Sequence, residues 1–224
     1  MIVIPAINET DFEEVKKKIK SAQDFGAESV HLDVSDGKFT KNKLWNNPAD
    51  LSNLKLKTNT LNLNLEVHLM VQNTDVVLDE WLDAKVKRLI VHLESVRDLD
   101  VMKMKCVAFG TELFLAIRPD TPVEHFFSHE GDANGFLILA VKPGLAGQKF
   151  STGGGSTEGG LEYQLKRIRT LRQKFPNAKI EVDGGVNLDN TLAIKNAGAD
   201  ILVSASSIWG SKNPKEAYRK LIEL

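Results

Sequence analysis

The chain has one cysteine, Cys106, so no disulfide can form within it and an all-cysteine zinc site is excluded. Long apolar runs are missing as well: none approaches the roughly 18 residues that a membrane-spanning helix needs. The segment Met1–Pro5 lacks a basic stretch followed by a long apolar one, so no secretory leader is expected. The protein therefore reads as soluble and cytoplasmic, with no membrane partner. An excess of charge of either sign is also absent. Lys and Arg number 29 against 30 Asp and Glu, a formal charge of -1, and no basic run forms a stripe along which a phosphate backbone could lie. Nucleic acid is excluded as an expected partner. A small phosphorylated metabolite is not, because backbone amides can hold a phosphate without net positive charge.

What the chain does have is 224 residues, 42% of them hydrophobic, in a steady alternation of short apolar runs and longer helix-like segments. The strand candidates are Ile2–Ala6, Ser29–Val34, Leu63–Leu69, Arg88–Leu93, Glu112–Ile117, Gly135–Val141, Lys179–Val182 and Ile201–Ser204. Parallel neighbours need long crossovers, which these helices supply. The strongest helix runs from Asp11 to Phe25, with Asp11 as cap, Phe12, Val15 and Ile19 on one face, and Gly26 as its end. Leu161–Phe175 and Asp189–Asn196 follow the same rules, the latter opened by Asn187 or Asp189 and closed by Gly198. Leu99–Val107 is the weakest. The pattern points to a single (β/α)8 TIM barrel over residues 1–224, although an open doubly wound sheet would alternate in the same way. One segment breaks the rhythm: residues 152–160 hold five glycines in nine positions. It reads first as a flexible surface insertion, and alternatively as a lid over a site.

Chemistry-bearing residues gather at the ends of the proposed strands, where barrel sites assemble. His31 and Asp33 stand two apart and so share one strand face; His68 ends the third strand and Asp183 the seventh. Two imidazoles and two carboxylates suit Zn2+, Fe2+, Mn2+ or Co2+, with positions left open for a substrate. Each is an ordinary residue when taken singly, so the set depends on the barrel to bring three strand ends together. Three stretches rich in small residues could cradle a phosphate: Pro143–Gln148, Gly184–Val186, and Ser204–Ser207, which opens the last helix. The same residues also suit tight turns and caps.

These stretches resemble the motifs of one known family, and in the same order. His31-Leu32-Asp33-Val34-Ser35-Asp36-Gly37-Lys38-Phe39 is similar to the H-x-D-V-M-D-G-x-F segment of ribulose-phosphate 3-epimerases. Glu66–Val71 resembles their D-V-H-L-M-V, Pro143–Phe150 their P-G-F-G-G-Q-x-F, and Glu181–Val186 reads E-V-D-G-G-V unchanged. Pro5-Ala6-Ile7 and Asp11-Phe12 resemble the opening P-S-I-L-S-A-D-F. The matches run from about residue 5 to 209. The resemblance implies a (β/α)8 barrel, ribulose-phosphate-binding type, that interconverts D-ribulose 5-phosphate and D-xylulose 5-phosphate. It further implies one divalent metal ion on His31, Asp33, His68 and Asp183, with Asp33 and Asp183 as acid and base on opposite faces of C3. Phosphate-binding positions carry over onto Gly144, Gly147, Gly184, Gly185 and Ser206.

The departures from the family pattern fall in the binding shell. Ala6 stands for a serine that reaches the substrate. Ser35 and Leu139 replace methionines that line the pocket, and Ser35 is expected to make it more polar. Lys142 replaces an asparagine, while Ala146 and Ala205 replace glycines, where an added β-carbon can obstruct a phosphate. The reaction type is therefore expected to stand and the substrate to be open, with a hexulose 6-phosphate or a non-catalytic sugar-phosphate binder as alternatives. His92 and Glu94 are read as structural before they are read as partners of the site. Arg118 either faces the pocket or makes a surface pair, Trp45 and Phe39 are read first as anchors of their own loop and alternatively as a cover over the site, and His125 and His129 are solvated. A homo-oligomer is admissible.

Overall fold

Runs rich in Val, Ile and Leu fold here as strands buried on both faces, which is what a parallel sheet covered by helices demands. A computed structural model describes residues 1–58, 63–144, 146–152 and 160–224, so residues 153–159 of the glycine-rich segment lie outside the described residues. The strands are β1 (Ile2–Ile7), β2 (Ser29–Ser35), β3 (Asn64–Met70), β4 (Arg88–His92), β5 (Glu112–Ile117), β6 (Gly135–Leu139), β7 (Lys179–Asp183) and β8 (Ile201–Ser204). Each is parallel to its sequence neighbour, and β8 returns to β1. Closure decides between the two architectures, because an open sheet keeps two edges and this one has none.

The helices are α1 (Phe12–Asp24), α2 (Pro48–Thr58), α3 (Thr74–Asp83), α4 (Leu99–Phe109), α5 (Gly160–Lys174), α6 (Thr191–Ala197), α7 (Ser206–Trp209) and α8 (Pro214–Ile222). A 3-10 segment, Val123–Ser128, replaces the α-helix expected after β5. Asp11 caps α1 as expected, its carboxylate accepting from the backbone N–H groups of Glu13 and Glu14. The segment read as weakest, α4, is fully formed. Asp98 accepts from the Val101 N–H at 3.0 Å, and Gly110 takes the left-handed cap at φ 67°. Its outer face carries exposed Val101, Met104 and Val107, which blurs the contrast that a helical pattern needs. Helix α6 starts at Thr191, after a turn in which the Asn187 carboxamide accepts from the Asp189 N–H.

Strand alternation sends one set of side chains outward against the helices and the other into the barrel. The outward set packs against Leu78 and Trp81 of α3 and Ile168 of α5 to form the main core. Inside, Ile4, Ile90, Phe114, Leu137, Leu139 and Ile201 make a smaller apolar cluster. Phe114 occupies the space that Gly135 leaves, for a Cβ at 135 would lie 2.4 Å from its ring. The remaining interior is polar and holds His31, Asp33, Glu66, His68, Arg88, Glu181 and Asp183. Among the described residues, no helix is long and apolar enough to cross a membrane.

Candidate metal and substrate site

His31 and Asp33 project from β2 into the barrel, and the register sets Asp33 beside His68 of β3. Asp183 comes in from the end of β7. One ligand atom from each of the four lies within 4.8 Å of the others. His68 Nδ1 is 3.1 Å from Asp33 Oδ1 and 3.6 Å from Asp183 Oδ2. His31 Nε2 is 3.4 Å from Asp33 Oδ1 and 3.8 Å from Asp183 Oδ2. The expected set is thus one constellation, with both imidazoles fully buried.

The partners on the far side of each imidazole show what the cluster is built to hold. Carboxylates only accept, so His31 Nδ1 donates to Glu66 Oε1 at 2.8 Å, and Nε2 faces the cluster, buried and without a hydrogen-bond partner. His68 Nε2 lies 2.9 Å from His92 Nε2, and His92 Nδ1 lies 3.2 Å from Glu94 Oε2. Glu94 accepts a hydrogen bond from the His92 Nδ1–H, His92 Nε2 then accepts, and His68 Nε2 must donate. That leaves the lone pair of His68 Nδ1 aimed at two carboxylates. Two lone pairs and two carboxylates converging in a buried space fit a divalent cation.

The electrostatics agree. Burial opposes charge on His31, yet the nearby carboxylates of Asp33, Glu181 and Glu66 raise its pKa well above the usual imidazole value. Burial likewise opposes charge on His68, and Asp183 and Asp33 reverse the effect. Burial would raise Asp33, but both imidazoles hold it below the usual carboxylate range. The cluster draws positive charge to its centre. His92 differs: burial, with His68 nearby, lowers it to about 4, so it is neutral. Glu94 falls to about 2, since bonds from His92, the Arg118 N–H and Thr121 outweigh burial. His92 and Glu94, read as structural, are therefore the outer partners of His68. Their i, i+2 spacing was the signal, and only closure of β4 against β3 gives it meaning.

A pocket opens above the cluster. Asp33, Asp183, Met70 and Leu139 line it together with Gly144, Gly147, Gly184, Gly185 and Ser206, so both acids and every expected phosphate position face one space. Gly144 has φ +113°, and a Cβ there would lie 2.3 Å from Thr40 Oγ1; Gly184 has φ +95°, and a Cβ would lie 2.4 Å from Val141. Neither position admits a side chain. Ser204–Ser207 opens the four-residue α7, not the last helix as expected, and the Ser204 and Ser207 hydroxyls both donate to Val186 O.

Other expectations are corrected here. The Ser35 hydroxyl does not make the pocket more polar: it is buried, donates to Asn42 O at 2.7 Å and accepts from the Gly37 N–H. Asn8, which the sequence did not single out, sits in the pocket wall and donates from its amide to Asp33 Oδ2 at 3.0 Å. It lies two residues beyond Ala6, so the i, i+2 rule was the available signal. Phe39 does more than anchor its loop, for its ring lies 4.7 Å from that of His92 and under the Arg118 guanidinium. Trp45 is buried and donates to Asp50, as expected of a loop anchor. His129 pairs with Asp132 and is half-buried, whereas His125 is exposed.

Comparison with known proteins agrees with this geometry. The chain is 31% identical to the ribulose-phosphate 3-epimerase of Methanocaldococcus jannaschii, an alignment covering 100% of this chain and 91% of that protein. It is 30% identical to the ribulose-phosphate 3-epimerase of Bacillus subtilis, covering 98% and 97%. Among solved structures, 3-hexulose-6-phosphate synthase from Salmonella typhimurium superposes with a TM-score of 0.69 at 14% identity, covering 100% of this chain and 97% of that one. Phosphoribosyl anthranilate isomerase from Thermus thermophilus gives 0.64 at 15%, covering 100% and 97%. At such identities these structures speak to the barrel alone. The model of the ribulose-phosphate 3 epimerase family matches residues 2–209, nearly the whole barrel with all four clustered side chains, and the chain belongs to that family.

Proposed function

We propose that the protein inverts C3 of a ketose phosphate, converting D-ribulose 5-phosphate to D-xylulose 5-phosphate. The observation that carries this reading is the convergence of two carboxylates, Asp33 and Asp183, on one pocket whose far wall is a set of glycine-rich loops. His31, Asp33, His68 and Asp183 would hold one divalent ion (Zn, Fe, Mn or Co), which when bound supplies Lewis acidity that favours charge build-up on the substrate's C2 oxygen. Asp33 and Asp183 do the proton work: one takes the C3 proton, and the other delivers a proton to the opposite face of the enediolate. The Asn8 amide orients Asp33 for this. Backbone N–H groups about Gly144, Gly147, Gly184, Gly185 and Ser206 would fix the phosphate, and with it the distance from phosphate to C3.

A second reading, the same inversion on another ketose phosphate such as a hexulose 6-phosphate, is favoured by Lys142, Ala146 and Ala205 in the pocket wall. The test is an NMR assay of the metal-loaded protein against a panel of pentulose and hexulose phosphates, with free ribulose as control. The proposal expects D-ribulose 5-phosphate to be inverted fastest and the free sugar to be much poorer. Equal turnover of free and phosphorylated pentulose would show the glycine-rich loops to be ordinary turns. Preference for a hexulose phosphate would select the second reading.

A further inference from the structure

Inside the barrel, below the candidate metal cluster, lies a second cluster with a cation of its own. Arg88, the first residue of β4, is paired in register with Glu66 of β3 and Glu112 of β5. Its side chain is 11% exposed, and its guanidinium lies over the Phe114 ring at 4.1 Å. Nη1 donates to Glu66 Oε2 at 2.6 Å and to Glu181 Oε2 at 3.3 Å. Nε and Nη2 donate to Glu112 Oε2 at 3.0 and 2.7 Å. The other oxygen of Glu66 accepts from His31 Nδ1. His31, Glu66 and Glu181 also bring ligand atoms within 4.8 Å of one another, but there the guanidinium already supplies the positive charge.

We propose that Arg88 is a positioning residue for the metal site, acting through Glu66 and His31; this rests on the metal reading above. Glu181 also lies near both Arg88 and His31 Nδ1, at 3.3 and 3.5 Å, but Glu66 makes the shorter link at 2.6 and 2.8 Å. Arg88 fixes one oxygen of Glu66, which aims the other at His31 Nδ1. A carboxylate there holds the proton on Nδ1, so Nε2 is the nitrogen turned toward Asp33 and Asp183. Ring orientation is thereby set before any ion arrives, which lowers the cost of assembling the site. Glu112 grips the same guanidinium from the far side and touches neither Glu66 nor His31, so it reaches the imidazole only through Arg88. It anchors the cluster without forming part of the link through Glu66.

That asymmetry supplies the test. Co2+, whose visible absorption reports binding, is titrated into the metal-free protein and into Glu66→Gln, Arg88→Met and Glu112→Gln. Outer partners of metal-bound histidines are typically worth about 10- to 100-fold in affinity. Glu66→Gln and Arg88→Met should weaken Co2+ binding by that order, while Glu112→Gln lowers the melting temperature and leaves affinity within about threefold. If Arg88→Met does not fold, Glu66→Gln, which keeps the shape of the side chain, still reads the effect. Side-chain 15N NMR of the Co2+-free, Zn2+-loaded protein gives a second readout, and should show His31 protonated at Nδ1. Unchanged Co2+ affinity in Glu66→Gln and Arg88→Met, with lowered melting temperatures, would mean a structural floor only and overturn the proposal. A parent protein that binds no Co2+ or Zn2+ would overturn the metal reading itself, and this proposal with it.

Discussion

His92 shows at the scale of one side chain what could and could not be read in advance. Its position at a strand end was visible, but its partner on β3 lies 24 residues away and is met only once β4 pairs with β3. Asn8 and Ser35 make the same point in opposite directions: the residue expected to wet the pocket bonds its own loop, and an unremarked amide orients the acid. The four clustered residues were legible because the i, i+2 rule fixes a face, and a face is all that an inward-pointing ligand requires. Their outer partners were not, since those depend on register. His92 has a measurable consequence. The unfolded chain takes up a proton at this imidazole below about pH 6.5, whereas in the folded protein the value is about 4. The unfolded state therefore binds more protons in that window, and stability falls as pH drops through it. In urea melts of chelator-treated protein, His92→Phe should lose less stability between pH 7 and pH 5 than the unaltered chain. The difference should reach about 2 kcal/mol at most, at about 1.4 kcal/mol per pKa unit. Parallel losses would show that His92 is not held neutral.

At the scale of elements, the strands were legible to within one or two residues because runs buried on both faces leave an unbroken apolar signature. Helix α4 was undervalued because its stability comes from its ends. The Asp98 cap and the left-handed Gly110 do what an amphipathic stripe does elsewhere, and exposed Val101, Met104 and Val107 hide the stripe. Asp98→Ala should cost about 1 kcal/mol in thermal or urea denaturation. Activity should be unchanged, since α4 bears no residue of the pocket. No loss of stability would mean that the helix is held by packing on Met102 and Cys106 alone. The 3-10 segment after β5 was beyond reach: its buried Phe126 packs on Phe136 of the next strand, a tertiary contact that overrides local preference.

At the scale of the whole molecule, closure is what turns ordinary residues into a site. Strands β2, β3 and β7 lie far apart in sequence and bring four ligand atoms within 4.8 Å only because the sheet has no edge. An ion held there links all three strands, so it should stabilise the entire fold. By mass action the gain is about 2.7 kcal/mol at a free ion concentration of 100 times Kd. Chelation should therefore lower the melting temperature and abolish epimerisation, and added Mn2+ or Zn2+ should restore both. A melting temperature indifferent to chelator and metal would remove the ion from the account.

The central claim is that Asp33 and Asp183 are the two bases of one inversion, and solvent-isotope exchange tests it most directly. Asp33→Asn and Asp183→Asn keep the shape of the side chain and can still offer an oxygen to a metal, but cannot take a proton. Each purified variant, its metal content measured, is incubated in D2O with D-ribulose 5-phosphate and separately with D-xylulose 5-phosphate, and C3 is followed by NMR. The account predicts inversion slowed by about 10²- to 10⁴-fold in both variants. It also predicts that hydrogen exchange without inversion survives for one epimer only, a different one in each variant, because each acid serves its own face. Near-normal inversion by either variant with its metal bound would contradict the assignment.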